Sequence, residues 1–139
     1  MFLKNLTIQK GEEIIRDIPF HKGINLIVDE SASGGKTESG NSVGKTTVLR
    51  LIDFCLDGNG KNIYTDTEFK SANIKVEKFL KDNNVIITLT LVDDIDDESS
   101  KRTVIQRNFL KRKEKIQSID GIPKKNEEFS KELKRILNL

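Results

Sequence analysis

The sequence is poor in the residues that most often carry covalent chemistry: its 139 residues include one cysteine, one histidine and no tryptophan. A single cysteine, Cys55, excludes an intrachain disulfide scaffold. Together with His21 it falls short of the roughly four Cys/His ligands that a structural zinc site requires. Cys55 lies on an apolar helical stripe, the setting of a buried structural thiol rather than a nucleophile. His21 follows Phe20 at a predicted turn, as an exposed or a simple packing residue, and is assigned no role. Long apolar runs are lacking: nothing approaches the ~18 residues needed to span a bilayer, and no signal segment opens the chain, so a cytoplasmic location is expected. Excess charge of one sign is lacking too. Twenty-four Lys+Arg against 22 Asp+Glu leave a net +2, which gives no overall pull toward nucleic acid or membrane. With 35 % apolar residues the chain can build one modest core, and residues 1–139 read as a single domain.

Hydropathy patterning orders the chain. Residues 1–10 alternate around Leu6 and Ile8 and predict a half-buried strand, which a turn at Lys10-Gly11-Glu12 joins to a second strand over 13–20. Ile24-Asn25-Leu26-Ile27-Val28 is a short run suited to a buried strand. From Asp29 to Asn41 there is almost nothing to bury, which predicts a surface loop. Val48, Leu51, Ile52, Cys55 and Leu56 then form an i, i+3, i+4, i+7, i+8 stripe, and Asp57-Gly58-Asn59-Gly60 supplies a glycine for a left-handed C-terminal cap. Ile74 to Leu80, Val85 to Val92 and Lys101 to Leu110 alternate with period two and predict an antiparallel meander. Phe129, Leu133, Ile136 and Leu137 define a terminal amphipathic helix, and the absence of a cap or turn after Leu139 suggests a chain cut from something longer.

The motif that carries chemistry is Ser39-Gly40-Asn41-Ser42-Val43-Gly44-Lys45-Thr46-Thr47. It fits the phosphate-binding pattern G-x-x-x-x-G-K-[ST], with Ser39 where the first glycine stands. Small residues let successive backbone N–H groups turn toward an anion, and the helix that follows adds its positive dipole end. In this pattern Lys45 is expected to reach the β and γ phosphates, the Thr46 hydroxyl to ligate Mg²⁺, and the Thr47 hydroxyl or backbone to contact the α phosphate. A second G-K-T triplet, Gly35-Lys36-Thr37, is followed by Glu38-Ser39-Gly40-Asn41, which cannot open an amphipathic helix. Lys45 is therefore the expected phosphate ligand and Lys36 a loop residue. The competing reading is a plain glycine turn at the start of a helix.

These residues, with Phe20-His21-Lys22-Gly23-Ile24-Asn25-Leu26-Ile27-Val28 ahead of them, resemble the N-terminal half of the head of SMC/RecF/RecN/SbcC-type ABC ATPases. The continuation Val48-Leu49-Arg50-Leu51-Ile52-Asp53-Phe54-Cys55-Leu56 looks like an uncharacterised bacterial SMC-like branch with a coiled coil and a C-terminal region of unknown function. The resemblance covers about residues 1–60. It implies an α/β P-loop NTPase (ABC-type) half-head: a mixed sheet with an antiparallel β subdomain, a P-loop helix and a terminal helix. It also implies ATP and Mg²⁺ as cofactors, and, as partners, the C-terminal half of the head and a second head in a homodimer. The process would be DNA repair, maintenance or defence. Hydrolysis would belong to that full assembly, because no L-S-G-G-like signature and no hydrolytic glutamate after a buried strand occur in these residues.

Two charged segments complete the reading. Asp93-Asp94-Ile95-Asp96-Asp97-Glu98 follows a strand with one wet face and predicts a solvated hairpin loop rather than a catalytic or calcium site. Arg107, Lys111, Arg112, Lys113 and Lys115 form the basic cluster, a candidate contact for DNA phosphates or else a solvated strand end. The alternative to nucleotide binding is a non-enzymatic interaction module with a glycine-rich loop.

Overall fold

The computed structural model describes residues 2–21, 40–65 and 74–137, and of residues 40–47 and 62 the backbone alone. Strands β1 (Phe2–Lys10) and β2 (Glu13–Pro19) form a hairpin whose turn places Gly11 at φ +61°, where a side chain is disfavoured. Helices α1 (Gly40–Cys55), α2 (Lys61–Tyr64) and α3 (Ile74–Asp82) follow. Strands β3 (Val85–Val92), β4 (Arg102–Arg107), β5 (Gln117–Ile119) and β6 (Ile122–Pro123) then lead to α4 (Asn126–Leu137). The six strands make one sheet in the order β2-β1-β3-β4-β5-β6, and every neighbouring pair is antiparallel.

Strand alternation decides the two faces of this sheet. Ile18, Leu6, Leu89, Ile105 and Ile119 stand opposite one another across five strands, and all but the half-buried Ile18 are at most 3 % exposed. One residue along, the row is polar: Asp17, Thr7, Thr88, Gln106 and Ser118. Asn5 and Thr7 both donate to Asp17 Oδ1, and Gln106 donates to Thr88. The helices cover the apolar face: α1 lies across β3 and β4, α3 against β3, and α4 against β5. Phe129 and Leu133 of α4 join Val48, Leu51, Phe54 and Cys55 of α1 in the core.

This architecture overturns the expected fold class. Among the described residues the sheet is antiparallel throughout, an α+β arrangement with helices on one face, and it gives no support to a P-loop NTPase half-head built on a mixed sheet. The strand expected at Ile24–Val28 lies outside the described residues. Two further expectations change. Gly40 and Asn41, read as loop, are the first residues of α1. Residues 74–80, read as a strand, are α3, because Lys75, Glu77, Lys78 and Lys81 are good helix formers and Glu77 pairs with Lys81 one turn on at 3.6 Å. Their apolar side chains are also not a buried strand face: Leu80 alone is buried there, while Ile74 is 75 % exposed.

Candidate functional site

Helix α1 carries the candidate phosphate segment on its first half and is fixed by its second. Val48, Leu51, Phe54 and Cys55 are buried in the core. Its C-terminal end closes in a Schellman motif: Gly58 N–H donates to Asp53 O at 2.8 Å and Asp57 N–H to Phe54 O at 3.3 Å. The left-handed residue is Asp57 at φ 83°, not the glycine expected there. Gly58 is required for another reason, since a Cβ at this position would stand 2.7 Å from the Asp53 carbonyl oxygen.

Arg107 completes this end. Its guanidinium lies 4.2 Å over the Phe54 ring and 5.4 Å from that of Phe129, and Nη1 donates to Phe54 O at 2.6 Å and Gly58 O at 2.9 Å. A cation at the negative end of a helix satisfies carbonyls that have no partner within it. Burial lowers the Arg107 pKa from its ordinary value, with the neighbouring Cys55 and Asp57 acting in the opposite direction. Phe54 also stacks on Phe109 at 4.7 Å, and Asp57 accepts a 2.6 Å hydrogen bond from Ser130 of α4. Strands β3 and β4 and helix α4 thus grip one end of α1.

At the other end, Ser39 lies outside the described residues, and Gly40, Asn41, Ser42, Val43, Gly44, Lys45, Thr46 and Thr47 are all helical. Lys45 therefore stands in the second turn rather than at the helix start. The N–H groups left without an intrahelical partner are those of the first turn, from Gly40. No acidic residue occupies that turn, so the positive dipole end is not neutralised from within the helix.

The charged segments separate along β4. The acidic run sits in the exposed β3–β4 connection, where Asp94 N–H donates to Ser100 Oγ, Asp96 N–H to Asp94 Oδ1, and Ser99 donates to Asp97 through backbone and hydroxyl. The Ser99 hydroxyl and amide lower the Asp97 pKa. At the opposite end, Lys111, Arg112, Lys113 and Lys115 occupy the exposed β4–β5 connection, with Arg112 at φ 61°. Arg107 leaves this cluster by turning inward. The segment that carries Lys124 and Lys125 runs beside it: Lys115 Nζ donates to Asn126 Oδ1 at 2.6 Å, and Gln117 bridges Lys124 O and Asn126 Oδ1. The signal that could have shown this is Asp120-Gly121, at φ 54° and 80°, a two-residue hairpin turn that folds β6 back on β5. Among the described residues no group of three or more His, Cys, Asp or Glu could hold a metal ion, and no helix is long and apolar enough to cross a membrane.

No protein-family model matches the chain. A stretch of 69 residues, 49 % of the chain, is 35 % identical to YydD of Bacillus subtilis (strain 168), described as an uncharacterized protein. That stretch spans 11 % of YydD. A short similarity to a protein without an assigned activity, on an antiparallel sheet, overturns the resemblance to an SMC/RecF/RecN/SbcC-type ABC ATPase head.

Proposed function

We propose that the chain binds the phosphates of a nucleotide, ATP with Mg²⁺, at the start of α1. The observation that supports this is the position of Gly44-Lys45-Thr46-Thr47 on the acid-free first half of a helix whose second half is anchored in the core. The first-turn amides and the dipole supply the anion site, Lys45 the phosphate cation, Thr46 the Mg²⁺ ligand and Thr47 a further phosphate contact. Phosphoryl transfer depends on positioning and charge neutralisation. These residues carry only part of that set, so binding, within a cytoplasmic protein, is the activity assigned to them. The test is a titration with fluorescent ATP and Mg²⁺ of the wild type and Lys45→Ala, with circular dichroism to verify the fold. Saturable binding by the wild type, weakened at least ~10-fold in the variant, supports the reading, that loss corresponding to about 1.4 kcal/mol or more. Equal binding by both, or by neither, favours a non-enzymatic interaction module.

The basic end supports a second reading, contact with DNA phosphates. Lys111, Arg112, Lys113 and Lys115 gather there, beside the segment that carries Lys124 and Lys125, with no aromatic interleaved among them in sequence, which suits backbone contact rather than base stacking. The acidic loop lies a β4 length away, ~20 Å, beyond the ~8 Å screening length at physiological salt. Fluorescence anisotropy of duplex DNA at 50 and 200 mM salt, with Lys111→Glu and Lys113→Glu together, decides it: binding must weaken in the variant and with salt.

A further inference from the structure

We draw no further inference here: the strongest candidate, the exposed apolar patch of α3 at Val76 and Phe79, carries nothing because nothing in the structure shows what covers it.

Discussion

The two ends of α1 are built on opposite plans. At the C-terminal end, Phe54 and Cys55 are buried and Arg107, Phe109 and Ser130 reach in from β4, the turn after it and α4. The N-terminal end is written in Gly40, Asn41, Ser42 and Gly44, residues of low helix propensity, with each glycine costing about 1 kcal/mol against alanine. One end draws its stability from tertiary packing, and the sequence of the other gives it low intrinsic helix propensity. Segments that must reshape around a ligand come from the less stable parts of a fold. The contrast thus suits the phosphate site proposed at the start of α1.

Breaking the anchored end should produce the largest effects. Phe129 is fully buried and flanks Arg107, so Phe129→Ala should lower stability in urea unfolding by about 3–5 kcal/mol. Arg107→Met keeps much of the side-chain stem but leaves Phe54 O and Gly58 O without their donor. It should cost about 1–3 kcal/mol by the same measurement. Gly58→Ala forces a Cβ against the Asp53 backbone, and a loss of about 1–2 kcal/mol is expected. If Arg107→Met unfolds at the wild-type urea midpoint, the guanidinium is not a cap and the contrast between the two ends weakens.

The elements with unambiguous periodicity were legible. The hairpin β1–β2, the buried stripe of α1 and the face of α4 follow directly from spacing. Residues 74–80 were not, because Ile74 and Val76 alternate over a window too short to separate a strand from one turn of helix, while the Lys and Glu between them favour the helix. In sequence Arg107 groups with Lys111–Lys115 as a surface cation. Spacing cannot show that a guanidinium stacks on Phe54, a residue 53 positions away. The fold class failed for a related reason. The resemblance rests on local segments within residues 1–60, and the direction of strands is set by long-range pairing that those segments do not contain.

Strengthening the N-terminal end should have a smaller effect on stability and an opposite one on binding. Gly44 lies in the helical interior of α1, so Gly44→Ala should stabilise the chain by about 0.5–1 kcal/mol. If a phosphate requires these amides to leave helical geometry, the same change should weaken ATP binding at least several-fold. Unchanged affinity in the stabilised variant would mean that the ligand meets the helix as it stands.

Cys55 provides the mildest test, since at neutral pH it leaves stability untouched. Burial pushes its pKa up to about 12 from 9.0, against a smaller opposing pull from Arg107. The folded state therefore keeps its proton where the unfolded chain loses it. That contribution is complete below pH 9 and fades as pH rises from 9 toward 12. Only the thiolate reacts with a disulfide reagent, so labelling of the folded chain at pH 8.5 should be slow and should become fast in urea. Cys55→Ser should flatten the alkaline loss of stability, at the cost of a hydroxyl in the core. Rapid labelling of the native chain would mean that the anchored end opens to solvent as readily as the other, and the asymmetry of α1 would vanish.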